Sequence, residues 1–181
     1  MEDDVSQQGK SKILMIIQEN LYSYIFSHIE DELNDEYEII KIYNEELDDD
    51  NFYNQLPDLT GVKGYIASWR SPGVDEKFLE LMPDLEIVAC AKGSVKGYVC
   101  DKAYQKGIKV TSAHMALAPS VAETTMMLTL MGLKLYKKQR LRMEKGIGRT
   151  PNPVGYELID KKVGLVGYGR IARSYRKLLT S

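Results

Sequence analysis

Short apolar runs recur along this chain with helix-length segments between them, and this alternation limits the folds open to it more than any other feature. Ile13-Leu14-Met15-Ile16-Ile17 is apolar throughout and bounded by polar residues, the pattern of a strand buried on both faces. Residues 37–43 alternate and are rich in β-formers. Residues 62–69 make a third strand, closed by the turn Arg70-Ser71-Pro72-Gly73, and residues 86–91 and 108–112 make a fourth and a fifth. Between them, Asn20 is placed to cap a helix whose Tyr24, Ile25, Ile29 and Leu33 share a face. The acidic stretch 44–50 leads into a weak helix or loop ending at Pro57. Residues 74–82 form a helix stopped by Pro83, and a helix from about Tyr98 ends at Gly107 as its C-cap. Strands alternating with helices predict β-α-β units, a parallel sheet and a doubly wound α/β domain of flavodoxin-like layout over residues 12–113. Ligands of such sheets bind beyond the carboxyl ends of the strands, which singles out the loops at 68–73 and 92–97.

Composition narrows the class. Apolar residues make up 44% and charged residues 28%, the balance of an ordinary globular protein, which excludes collagen-like and disordered chains. No run approaches the ~20 consecutive apolar residues of a membrane span. Residues 1–11 are polar, carry no apolar signal core and read as a disordered tail. Cys90 and Cys100 fit no metal spacing and suit small buried thiols. The expected location is cytoplasmic. Charge is unevenly spread: twelve acidic residues face the single base Lys41 between Glu19 and Asp50, whereas thirteen Lys or Arg face three acids between Lys134 and Lys177. That split suits either a phosphate-binding end or two solvated faces. The basic run at 134–149 lacks aromatic interleaving, so no nucleic acid is expected as a partner.

A long helix starts at Pro119, where Ser120 and Glu123 have the spacing of a capping box. Its stretch 126–135 is rich enough in Met and Leu to require burial against another layer or a second subunit. Pro151, Pro153 and Gly155 then mark a linker. Beyond it, residues 162–166 read as a short strand, followed by Gly167-Tyr168-Gly169-Arg170-Ile171-Ala172 and a helix through Arg173, Tyr175 and Leu178. This is G-x-G-x-x-A, the dinucleotide fingerprint in its alanine form. Gly167 permits the tight turn, Gly169 lets a pyrophosphate approach the backbone, and Ala172 lets helix and strand lie close. The amides of Gly169, Arg170 and Ile171 face the phosphates, aided by the helix dipole.

Four blocks in order, Cys90-Ala91-Lys92-Gly93-Ser94, Gly107-Ile108-Lys109-Val110-Thr111, Val121-Ala122-Glu123 and the stretch from Gly164 to Ala172, resemble the D-isomer-specific 2-hydroxyacid dehydrogenases. The resemblance implies a flavodoxin-like substrate domain at 12–113. It also implies the first part of a Rossmann-type cofactor domain at 114–181, comprising the long helix, the linker and the first βα unit. Lys92, Gly93, Ser94 and Val95 would bind the carboxylate of a small 2-keto or 2-hydroxy acid. Gly167, Gly169, Arg170, Ile171 and Ala172 would bind NAD or NADP, and the long helix would contribute to a homodimer.

Departures accompany the resemblance. Gly97 and Val99 stand where relatives carry Asn and Asp, and Lys92 stands where many carry Arg. His114 reads as a turn or helix-entry residue and His28 as a helix-surface residue, so neither is the family's catalytic histidine. The Arg, His and carboxylate of the family's chemistry fall beyond these 181 residues, and no catalytic residue is assigned. The expectation is therefore an NAD(P)-dependent oxidoreductase interconverting a 2-keto acid and a D-2-hydroxy acid, present as the front part of a longer enzyme or as the product of an interrupted gene, and inactive by itself. The alternative is a non-catalytic dimeric binding or regulatory module. A phosphate-accepting receiver domain shares the layout. It would need acidic residues at the ends of the first and third strands, where this chain has Gln18-Glu19 and Ser68-Trp69.

Overall fold

Five parallel strands line up in the order β2-β1-β3-β4-β5: β1 (Ser11–Ile17), β2 (Tyr37–Tyr43), β3 (Val62–Ala67), β4 (Ile87–Cys90) and β5 (Lys109–Ser112). The computed structural model describes residues 9–47, 51–148 and 155–180. The order is that of a flavodoxin-like doubly wound sheet, as the strand-helix alternation predicts. β1 begins at Ser11, so the expected tail gives way to strand one residue early.

Alternate residues of β1 fall into two clusters. Leu14 and Ile16 pack with Val62, Tyr65, Phe78, Leu79 and Val88, while Met15 and Ile17 pack with Tyr22 and Phe26. The period of two sends successive side chains to opposite faces, and both faces are covered. Phe78 is fully buried, with its ring 5.0 Å from that of Tyr65 and 5.9 Å from that of Phe52.

The segment after β1 departs from the expected single helix. α1 (Glu19–Ile25) gives way to a 3-10 turn at Ser27–Ile29 and then α2 (Glu30–Glu36). Asn20 lies inside α1, whose N-cap is Gln18, so it caps nothing. Of the expected face, Ile25, Ile29 and Leu33 pack half-buried against the Met15 and Ile17 cluster across the break, together with the buried Tyr22 and Phe26, whereas Tyr24 points away and is 85% exposed. Short 3-10 helices follow at Asn44–Glu46 and Phe52–Gln55; residues 48–50 of the acidic stretch lie outside the described residues. α3 (Glu76–Leu81) is capped by Asp75, which accepts from the Phe78 amide at 2.8 Å. α4 (Asp101–Gln105) starts later than expected, leaving Tyr98 in the preceding loop, and ends on Gly107 at φ 77°.

The chain divides into two compact units, Met1–His114 and Met115–Ser181. The second holds nearly all of α5 (His114–Leu133), then α6 (Tyr136–Glu144) and α7 (Arg170–Thr180). α5 starts before Pro119, so Ser120 sits within the helix and caps nothing; its carbonyl accepts from Thr124 Oγ1 at 3.2 Å. Thr125 and Thr129 likewise donate to carbonyls four residues back. These local bonds satisfy the hydroxyls, and α5 is long and apolar enough to cross a membrane by length and composition. Its Met and Leu side chains are only partly covered: Met127, Leu128 and Leu130 are exposed, Leu117, Met126, Met131 and Leu133 are half-buried, and Ala118 and Ala122 are the buried residues of the helix. Tyr175 of α7 is buried, with its hydroxyl 2.9 Å from Thr129 Oγ1 of α5.

The expected strand at 162–166 is absent. Residues 161–165 take no regular structure, and Val166 is fully exposed. A strand is held by its neighbours' ladder, and among the described residues no strand pairs with this one. The first βα unit is therefore present only as its turn and helix. Pro151 and Pro153 of the linker lie outside the described residues.

Replacing Phe78 by Ala should lower the unfolding free energy by about 3–5 kcal/mol, read from the urea midpoint, because the cavity opens among rigid strands. A loss below 1 kcal/mol would contradict this placement of the core.

Candidate functional site

In the first unit, the loops after β3 and β4 meet at the carboxyl ends of the strands. The Ala91 amide donates to the Ala67 carbonyl at 2.7 Å, so the two strands remain in step as they end. Ser68 and Ser71 are buried. Ser71 Oγ accepts from the Ser68 amide at 2.8 Å and donates to the Ile16 carbonyl at 2.5 Å, tying the β3–α3 loop to β1. Ser68 Oγ is buried, with no hydrogen-bond partner among the described residues. Beyond it, Trp69 is exposed and Arg70 takes the left-handed conformation at φ 64°, which costs a residue bearing a Cβ and is concentrated at functional loops.

Lys92, Gly93, Ser94 and Val95, expected to bind substrate, follow β4 directly. Gly93 and Ser94 are exposed, while Lys92 and Val95 are half-buried. Among the described residues, the amides of Gly93, Ser94 and Val95 have no backbone acceptor. Such a run of free donors can receive an anion. The Ser94 hydroxyl accepts from the Lys96 amide at 3.2 Å, and the Tyr98 amide donates to the Val95 carbonyl at 3.0 Å. Lys92 Nζ sits 2.9 Å from the centroid of the Tyr98 ring. Burial lowers the Lys92 ammonium below its usual range, partly offset by the Cys90 thiol nearby, and burial pushes that thiol up.

The residue that the sequence reading missed is Tyr98. Its hydroxyl donates to the Pro72 carbonyl and lies 3.1 Å from the Ser71 carbonyl. Tyr65 donates to the Pro72 carbonyl at 3.0 Å. Burial drives both phenols above the usual tyrosine range. Gly97 at φ 71°, just before it, was the available signal that the chain turns here before any helix begins.

In the second unit, Gly167 takes φ 86° and turns the chain toward α7. Gly169 precedes the helix, and its carbonyl accepts the first helical bond, from the Arg173 amide at 3.0 Å. The amides of Arg170, Ile171 and Ala172 therefore have no acceptor within the helix. A Cβ added at Gly167 or Gly169 would meet nothing within 4 Å, so the turn opens onto free space. Arg176 donates to the Tyr168 hydroxyl at 3.0 Å, and the Arg173 guanidinium lies 5.7 Å from the Tyr168 ring. Ala172 is half-buried, and no strand lies beneath it in the way the fingerprint reading expected. His114 Nδ1 lies 2.7 Å from the Ser112 hydroxyl at the entry to α5, a helix-entry role. Among the described residues no cluster of His, Cys, Asp and Glu is placed to hold a metal.

A flavodoxin-like parallel sheet with free amides after its fourth strand, and a glycine turn opening a helix in a separate unit, place the chain among two-unit α/β proteins. Residues 16–175 match the family model described as D-isomer specific 2-hydroxyacid dehydrogenase, catalytic domain. The chain belongs to that family. It is 28% identical over 140 residues to the hydroxypyruvate reductase of Thermotoga maritima, an alignment covering 77% of this chain and 44% of that protein. Among solved structures, it is similar to the NADPH-dependent glyoxylate/hydroxypyruvate reductase of Sinorhizobium meliloti in complex with NADP and malonate, at TM-score 0.67 and 25% identity. That match covers 95% of this chain and 50% of the other. It shares its fold with the D-lactate dehydrogenase of Aquifex aeolicus complexed with NAD and lactic acid, at TM-score 0.69 and 21% identity over 93% of this chain and 48% of that one. The chain spans about half the length of these relatives.

Folding keeps the Tyr65 and Tyr98 phenols neutral above the pH at which an unfolded tyrosine ionises. Their contribution is complete below about pH 10 and is lost as the pH rises further. Urea midpoints should therefore fall above about pH 10, with a shallower fall in Tyr98→Phe. The same slope in both proteins would contradict the burial of this phenol.

Proposed function

We propose that this chain carries the carboxylate-binding loop and the dinucleotide turn of an NAD(P)-dependent oxidoreductase that interconverts a 2-keto acid and a D-2-hydroxy acid. The observation that carries this reading is the run of three unpaired amides at Gly93, Ser94 and Val95 beside Lys92. The amides supply directional donors to a carboxylate and Lys92 supplies charge.

The turn fits a dinucleotide at its pyrophosphate. Gly167 and Gly169 leave the approach open, and the Arg170, Ile171 and Ala172 amides stand at the positive end of α7. When bound, a nicotinamide dinucleotide supplies or takes up the hydride. The chain's own part is to hold the pyrophosphate at that helix terminus and the acid's carboxylate at residues 93–95. Proton transfer requires an acid–base residue, and none is assigned among these 181 residues, so the chain alone is expected to be silent. A homodimer through α5 is part of this reading, supported by the exposed Met127, Leu128 and Leu130. A cytoplasmic location is supported by the two free thiols.

Two measurements test the reading together. NADH should bind the purified chain, and Gly169→Val should weaken that binding at least about tenfold by blocking the approach to the amides. Glyoxylate added with NADH should give no loss of absorbance at the nicotinamide band. Unchanged binding in Gly169→Val would sink the dinucleotide assignment, and turnover would sink the division of labour.

A further inference from the structure

We propose that Tyr98 is a positioning residue that seats the Lys92 ammonium beside the carboxylate loop, an inference that rests on the anion role of residues 92–95 proposed above. Four observations converge on this side chain.

The first is the seat itself. Lys92 Nζ stands 2.9 Å from the Tyr98 ring centroid, so the ammonium lies against the π-face, where the ring's quadrupole attracts it. A lysine ends a flexible four-carbon stem, and holding its head over a ring removes much of that freedom before any ligand arrives. The face of the ammonium turned away from the ring keeps its N–H donors for an incoming anion.

The second is that the ring is itself fixed. Its hydroxyl bonds the Pro72 carbonyl and lies 3.1 Å from the Ser71 carbonyl, while the Tyr65 hydroxyl shares the Pro72 acceptor and lies 3.5 Å away. Ser71 is in turn bonded to β1. The orientation of Lys92 thus traces back to the sheet.

The third is the backbone around it. The Val74 amide donates to the Tyr98 carbonyl at 2.8 Å, the Cys100 amide donates to the Val74 carbonyl at 2.9 Å, and Val74 and Val99 form a parallel bridge. Gly73 completes the joint, since a Cβ there would stand 3.1 Å from the Tyr98 carbonyl oxygen. Tyr98 is therefore where the β3–α3 and β4–α4 loops are joined.

The fourth is electrostatic. The ammonium is half-buried, and among the described residues it has no ion-pair partner within reach. The ring supplies the attraction that a carboxylate would otherwise supply, and leaves the positive charge available.

The test is a double-mutant cycle on the 181-residue chain with oxamate, an unreactive 2-keto acid analogue, as the probe and NMR titration as the readout. Lys92→Ala should raise the oxamate Kd about tenfold, the loss of one charge-assisted contact. Tyr98→Leu should cost nearly as much in the Lys92 chain and less than about twofold in the Lys92→Ala background, because a residue acting through another loses its effect when that partner is gone. A purely structural role would lower affinity equally in both backgrounds, which would overturn the inference. Tyr98→Phe keeps the ring and covers the case in which the Leu variant does not fold. It should retain most of the affinity and the upfield ring-current shift of the Lys92 ε-methylene. Loss as large as that in Lys92→Ala would count against the ring as the seat. An unchanged Kd in Lys92→Ala, or no oxamate binding by the wild-type chain at millimolar concentration, would remove the anion role itself. An affected Lys92→Ala with additive Tyr98 effects would remove only the part played by Tyr98.

Discussion

The burial of β1 on both faces is the constraint from which the rest of the first unit follows. Leu14 and Ile16 point into one cluster and Met15 and Ile17 into the other, all of them at or near complete burial. A strand with no solvent face must be covered from both sides, which forces helical crossovers above and below and therefore parallel neighbours. Parallel neighbours end together, so the loops after β3 and β4 emerge side by side at one edge of the sheet. The position of the loop at residues 92–97 is a consequence of how β1 is buried.

That edge is then stiffened by polar contacts. Ser71 bonds β1 to the β3–α3 loop, and Tyr98 bonds that loop to the one carrying Lys92. The three amides at residues 93–95 are left unpaired at the centre of this network. An unpaired donor at a loop tip is cheap while water reaches it, and becomes valuable when an anion replaces the water. The glycine turn before α7 follows the same logic at a helix terminus, with Tyr175 and Thr129 anchoring the helix to α5.

Much of this was legible in the sequence, for identifiable reasons. Residues 13–17 and 37–43 appear as strands because an apolar run and a β-rich alternation bounded by polar residues leave little else to form. Gly167 is legible as the turn before α7, where it takes φ 86°. What escaped depended on tertiary context. Ile25, Ile29 and Leu33 do share the packed face, but the buried stripe of α1 runs through Tyr22 and Phe26, which leaves Tyr24 facing solvent. Ser120 has a capping-box spacing, yet α5 begins at His114 and passes through it. Residues 162–166 have strand composition but no neighbour to pair with among the described residues, and composition cannot supply a ladder. Tyr98 was hidden because its importance lies in partners at Ser71, Pro72 and Lys92, which no local pattern reports.

Whether residues 93–95 receive a carboxylate can be read by an amide-resolved NMR titration of the labelled chain with oxamate. The first and largest shifts should fall on the amides of Gly93, Ser94 and Val95, with smaller ones reaching Ser68 and Tyr98 through the joined loops. Shifts confined to other surfaces of the sheet, with these three amides unmoved, would contradict that assignment.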